Sequence, residues 1–198
     1  MKVVMIVAHP DDEVIFGFHD IIYNDVLVIC MTNGDNKIRK EEFFKSMQLC
    51  GSKGHILNYP DSPENTWSNL ADEDIYNSHL CPLIRKDLGY ELIVSHGSDG
   101  EYGNKQHIRT GLLGRYVASK MSLPFKTFRE RYRASDYATH LTKYNDLIAN
   151  YASQNIARNL SLINFFSHKK VKVGSKNNKV IEGQVPDLRL LLTNKYKY

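Results

Sequence analysis

Four short apolar segments constrain the architecture: KVVMIVA from Lys2, DVLVICMT from Asp25, HILNY from His55 and ELIVSH from Glu91. They are rich in Val and Ile and apolar without strict alternation, which marks strands buried on both faces rather than one. Helical patterns fill the intervals. Phe43, Met47 and Cys50 share a face before Gly51, and Tyr76, Leu80, Leu83 and Leu88 do so before Gly89, with Pro82 interrupting the pattern. A third helix is expected from near His107, where Ile108, Leu112 and Tyr116 align, and a fourth from Leu141, Tyr144, Ile148 and Tyr151. This alternation predicts an α/β protein: a Rossmann-like, doubly wound, mostly parallel sheet with helices on both faces, three layers in all. Function in such a fold gathers at the carboxyl ends of the strands.

The 198 residues suit a single domain spanning 1–198, with a C-terminal appendage over about 165–198. At 42% hydrophobic and 24% charged the chain reads as soluble, and no stretch approaches the roughly 20 apolar residues of a membrane helix. Met1 and Lys2 lead directly into the first apolar segment without a small-residue cleavage site, so neither a leader nor a membrane anchor is expected. Three widely spaced cysteines, Cys30, Cys50 and Cys81, fit a reducing, cytoplasmic setting. Much of the formal +4 charge lies beyond His168, where SKNNK reads as a turn between two final short strands. Basic residues there read as solvated lysine, and no nucleic-acid partner is expected. The oligomeric state is not legible.

Chemistry concentrates where AHPDDEV, residues 8–14, closes the first apolar segment with a histidine, a proline and three acids. Pro10 and the acids suit the opening turn of a helix, and a carboxylate can serve a helix terminus and a cation together. The loop SHGSDGEYGNKQH follows the fourth segment. In the commonest doubly wound order the first and fourth strands are neighbours at the switch point, so both loops face one cleft. His9, Asp12 and His107 then offer the neutral nitrogen and hard oxygen donors that zinc accepts in catalytic sites, leaving a fourth position for water. Asp11, projecting differently from its neighbour, is the candidate general base.

AHPDDE and the later GEYGNKQH resemble the zinc-dependent N-acetylglucosaminyl deacetylases of the PIG-L and LmbE-like group. Further pieces stand in that family's order: TNGD after the second strand, Arg39 with Glu42 opening the next helix, LNYPDS after the third strand, and YASQ at 151–154. The resemblance spans roughly residues 3 to 155. It implies zinc, or another divalent transition metal, on His9, Asp12 and His107, with Asp11 as general base. It also implies sugar contacts from Arg39 and Asp61, and a mobile Tyr102 that contacts substrate and donates to the reacting carbonyl. One position departs from the family: Asn104 stands where a histidine is usual three residues before the last ligand. Asparagine cannot deliver a proton, but its amide can donate to an oxyanion, with acid catalysis passing to protonated Asp11 or to His96.

The expected function is hydrolysis of the N-acetyl group of an N-acetylglucosamine-type sugar, glycoside-, oligosaccharide- or nucleotide-linked, releasing acetate. The alternative is a catalytically degenerate relative that binds zinc and sugar without turnover. A metal-free nucleotide-binding domain has little support, because no glycine-rich phosphate loop follows the first strand. Asp35 is expected either to orient a ligand histidine or to form a turn, and Tyr144 and Tyr151 to be core rather than a substrate platform.

Overall fold

All four apolar segments are strands, and a fifth follows them: β1 (Lys2–Val7), β2 (Asp25–Thr32), β3 (Lys53–Tyr59), β4 (Leu92–Ser95) and β5 (Phe125–Thr127). They pair throughout in parallel, in the order β3-β2-β1-β4-β5. The order reverses between β1 and β4, so their carboxyl ends form the crevice where a doubly wound sheet places its ligands. The three-residue β5 carries too little pattern to be expected from sequence. The computed structural model describes residues 1–62, 64–128, 140–154 and 156, all within the unit Met1–His168. The expected appendage, with its SKNNK turn and final strands, lies outside the described residues.

Helices cover both faces. They are α1 (Asp12–Ile15), α2 (Phe18–Tyr23), α3 (Lys37–Cys50), α4 (Asp72–Ile75), α5 (Gly100–Gly103), α6 (Lys105–Met121) and α7 (Leu141–Asn150). On one face Val4, Ile6, Leu27, Ile29, Met31 and Ile93 pack with Leu113, Val117 and Met121 of α6 and with Ile75, Leu80 and Ile84. The alternate strand residues Val3, Met5, Val7, Val26 and Val28 are buried as well. Here Gly17 lies against Met5, and Gly54 of β3 lies against Phe43 and Met47 of α3. Burial on both faces accounts for the near-continuous apolar runs of β1, β2 and β4, whereas β3, at the edge of the sheet, buries only Leu57 and is otherwise exposed or half-buried.

Two helical expectations are corrected. The pattern from Tyr76 to Leu88 is not one helix: α4 runs into a π-turn over Tyr76–Leu80, and a 3₁₀ turn follows at Lys86–Leu88. Pro82 lacks the N–H that would continue the ladder, and its ring would strike the Ser78 carbonyl. In α6 the aligned Ile108, Leu112 and Tyr116 are not the core face, and Leu112 is 52% exposed. The buried face is instead His107, Thr110, Gly111, Leu113, Gly114, Val117 and Ala118.

The glycines on that face set how closely α6 lies on the end of β4. A Cβ at Gly111 would stand 2.5 Å from the His96 carbonyl oxygen, and one at Gly114 would stand 2.7 Å from Ser95 Cβ. Ser95 Oγ in turn donates to the Ile6 carbonyl at 2.7 Å and the Thr110 carbonyl at 3.3 Å, drawing β1, β4 and α6 together. Gly111→Ala is therefore expected to cost about 1–3 kcal/mol, read as a lowered urea midpoint. Leu112→Ala, on the solvent side of the same turn, should stay within about 0.5 kcal/mol of the parent.

Candidate metal centre and its pocket

The first loop of the site is built on a strained turn. The Ala8 carbonyl accepts from the Thr32 N–H at 3.2 Å and its hydroxyl at 2.9 Å, pinning the end of β1 to that of β2. Asp11 then adopts φ 116° and ψ −28°, a left-handed value costing a non-glycine residue about 1–3 kcal/mol. Beneath it lies Glu13, fully buried. One Glu13 oxygen accepts the Asp11 N–H at 3.0 Å, and the other accepts Ser46 Oγ of α3 at 3.0 Å and the hydroxyl of Tyr151, the residue that follows α7. Burial pushes the Glu13 carboxyl up to about 7 in spite of these donors. The turn brings the Asp12 side chain back, so that Oδ2 accepts the His9 N–H at 2.8 Å.

At the switch point the two loops meet. His9 Nδ1 lies 3.2 Å from His107 Nε2 and 3.3 Å from Asp12 Oδ2, and His107 Nε2 lies 3.4 Å from Asp12 Oδ1. A tetrahedral ion with bonds of about 2.0–2.1 Å needs donors about 3.3 Å apart, so donor type and spacing both fit zinc. Burial opposes ionisation of Asp12, but His107 and His96, with His9, outweigh it and hold its pKa well below the usual carboxylate range. Asp11 moves the other way: burial, then the Asp12 charge, raises it well above that range, against the pull of Arg39.

Glu101, which sequence reasoning missed, orients two imidazoles. Its Oε2 is 2.8 Å from both His96 Nδ1 and His107 Nδ1. A carboxylate only accepts, so both Nδ1 atoms carry protons and His107 Nε2 is left as a lone pair. Burial raises the Glu101 pKa, yet the two histidines bring it down to about 2. The carboxylate reaches them because Glu101 itself sits at φ 61°, with Oε1 held by the Gly97 N–H at 2.8 Å. His96 stacks on His107 at 4.0 Å and accepts the Ala8 N–H at 3.1 Å, with no side-chain exposure. It is a strut behind Asp12 rather than a group that substrate can reach, which removes it as a stand-in acid. Asp35 serves its turn: it is exposed, and its N–H donates to Asn58 Oδ1 at 2.9 Å.

The adjoining pocket is lined by His9, Asp11, Asp12, Ile15, Phe16, Arg39, Tyr102, Asn104 and Gln154. Arg39 donates to the Pro10 carbonyl at 2.9 Å and to Asp61 Oδ2 at 2.8 Å, so Asp61 stands behind Arg39 rather than in the lining. Tyr102, 42% exposed, is at the mouth, where burial of its hydroxyl pushes the pKa up to about 12. Asn104 caps α6: its Oδ1 accepts from Gln106 N at 2.8 Å and His107 N at 3.2 Å. Its NH₂ is the part left for the pocket and for Tyr102, 3.4 Å away. Gln154 was missed; Glu42 brings it there by accepting the Ser153 N–H at 2.8 Å and hydroxyl at 2.6 Å. Tyr144 and Tyr151 are core, as expected. Metal-capable groupings among the described residues draw only on His9, Asp12, His96, Glu101 and His107.

Residues 4–118 match the family described as PIG-L, GlcNAc-PI de-N-acetylase. Uncharacterized protein L374 of Acanthamoeba polyphaga mimivirus is 37% identical over 120 residues, 52% of each chain. The 1D-myo-inositol 2-acetamido-2-deoxy-alpha-D-glucopyranoside deacetylase of Corynebacterium diphtheriae is 28% identical over 160 residues, 62% of this chain and 54% of that one. The chain thus spans about half the length of the curated relatives it matches. Among solved structures, a deacetylase–teicoplanin complex from the teicoplanin biosynthesis pathway superposes with a TM-score of 0.60 at 11% identity, covering 88% of this chain and 95% of that one. That likeness shows the three-layer α/β fold. No helix among the described residues is long and apolar enough to cross a membrane.

The support beneath Asp11 is open to a double-mutant cycle. Ser46→Ala and Tyr151→Phe each remove a donor to the same Glu13 oxygen and should each cost about 1–3 kcal/mol in urea unfolding. Their effects should be non-additive by more than about 0.5 kcal/mol, because either loss changes what the other donor stabilises.

Proposed function

The chain belongs to the PIG-L family, and from that premise we propose that it is a zinc-dependent hydrolase removing the N-acetyl group of an N-acetylglucosamine-type sugar, with release of acetate. The observation that carries this reading is the convergence of His9 Nδ1, His107 Nε2 and the Asp12 carboxylate at 3.2–3.4 Å beside a pocket that also presents Asp11. His9, Asp12 and His107 would hold the metal, which when bound supplies a Lewis acid that acidifies water and polarises the amide carbonyl.

The remaining steps belong to side chains. Asp11, its pKa raised by burial and by the neighbouring Asp12 charge, takes a proton from the water as the oxygen–carbon bond forms. Asn104, its oxygen committed to capping α6, turns its NH₂ to the carbonyl oxygen as negative charge builds there, and the Tyr102 hydroxyl completes that environment. When the carbon–nitrogen bond breaks, Asp11 returns its proton to the departing amine, and acetate leaves. Arg39, oriented by Asp61 at 2.8 Å, meets hydroxyls of the ring. The substrate is a small glycoside-, oligosaccharide- or nucleotide-linked sugar, and the three free cysteines support a cytoplasmic setting.

Acetate release by the zinc-loaded protein from N-acetylhexosamines, free, glycoside-linked and nucleotide-linked, tests the reading. Asp11→Asn should lower turnover by about 10²- to 10⁴-fold while zinc content and sugar affinity persist. Saturable sugar binding without turnover by the parent would instead assign the zinc-dependent binder that Asn104 in place of histidine suggests. Asn104→Asp keeps the cap of α6 and loses the donor, so kcat should fall by about 10²- to 10³-fold with little change in Tm.

A further inference from the structure

Resting on the metal-centre reading above, we infer that Gln106 is a positioning residue: it commits His9 to the nitrogen that faces the metal and fastens the segment after β3 to that histidine. Gln106 is 3% exposed, and both N–H bonds of its amide are taken, one by the Pro60 carbonyl at 2.9 Å and one by the Asn65 carbonyl at 2.7 Å. Turned over, the amide would set its oxygen against two carbonyl oxygens, so its orientation follows from its partners. Its Oε1 therefore faces His9 Nε2, at 2.7 Å. An amide oxygen only accepts, so Nε2 carries the proton, and in a neutral imidazole Nδ1 is then the lone pair.

That Nδ1 is the atom 3.2 Å from His107 Nε2 and 3.3 Å from Asp12 Oδ2. Glu101 leaves a neutral His107 with Nε2 unprotonated in the same manner, so when both imidazoles are neutral three acceptors converge. A cation relieves that crowding. The segment held by the two carbonyls carries Asp61, and Trp67, two residues beyond it, donates its Nε1–H to the same Pro60 oxygen at 3.1 Å. One amide thus connects the start of α6, the metal-facing histidine and the segment that places Asp61 against Arg39.

Zinc affinity measured by chelator competition on the full chain tests this. Gln106→Met, similar in length and without hydrogen-bonding groups of comparable strength, should weaken zinc binding by about 10- to 100-fold. Gln106→Glu keeps an acceptor for His9 but sets its other oxygen against the Pro60 and Asn65 carbonyls, so it should retain most zinc affinity while weakening sugar binding. Parental zinc affinity in a folded Gln106→Met overturns the proposal. If that variant does not fold, the unaltered protein decides: long-range ¹⁵N–¹H NMR of the zinc-loaded chain should show His9 protonated at Nε2, and a proton on Nδ1 overturns the proposal. Failure of the metal-centre reading looks different, because the unaltered chain then binds no zinc and His9→Ala changes nothing.

Discussion

An ionised carboxylate with 3% exposure, Asp12, sets the terms for everything around it. Water is excluded, so its charge must be balanced, either by protons on the three imidazoles whose ring nitrogens lie within 3.4 Å of its oxygens or by a cation held among them. They come from three places: His9 after β1, His96 after β4 and His107 in α6. Only a sheet in which β1 and β4 are adjacent, with α6 lying tightly on β4, can bring them together. Sheet order is therefore an electrostatic requirement as much as a packing solution, and losing any one imidazole would leave a buried charge short of compensation.

Strain is placed on both sides of this carboxylate. Asp11 at φ 116° and Glu101 at φ 61° are non-glycine residues in left-handed conformations, and each is tied down by a hydrogen bond between a carboxylate and a backbone N–H. Asp11 lends its N–H to Glu13, while Glu101 receives that of Gly97. In each case the unusual backbone points a carboxylate where an ordinary turn would not: Asp11 toward the pocket, Glu101 beneath two histidines. These carboxylates are consequently aimed by backbone rather than by long flexible stems, which suits a site whose donors are spaced within a few tenths of an ångström.

The strands and the donor cluster were legible because both leave local marks: strands buried on two faces read as unbroken apolar runs, and HPDD after the first of them concentrates donors at a strand end. The core face of α6 was not, because closeness there is achieved by Gly111 and Gly114, and the face is completed by His107 and Thr110. Hydrophobic periodicity is blind to glycine, so it favoured Ile108, Leu112 and Tyr116 on the wrong side. Glu101 and Gln106 gave no signal either. The first acts through its own positive φ and the second through two backbone carbonyls about forty residues away, and neither property belongs to a residue type. Asn104 was legible as a departure from pattern, but its service as a helix cap, which decides which end of its amide faces the pocket, needed coordinates.

The bond from Tyr151 to Glu13 spans 138 positions and joins nearly the first loop of the chain to nearly its last described helix. A chain leaving the ribosome makes Glu13 early and Tyr151 late, and parallel sheets close slowly because their contacts are distant in sequence. Until residue 151 arrives, Glu13 lacks one of its three donors and the turn that carries Asp11 and Asp12 lacks part of its foundation. Maturation of the centre thereby waits on the synthesis of residue 151. A nascent chain that has made His9, Asp12 and His107 but not Tyr151 carries the whole donor set and still lacks the floor on which it is gathered.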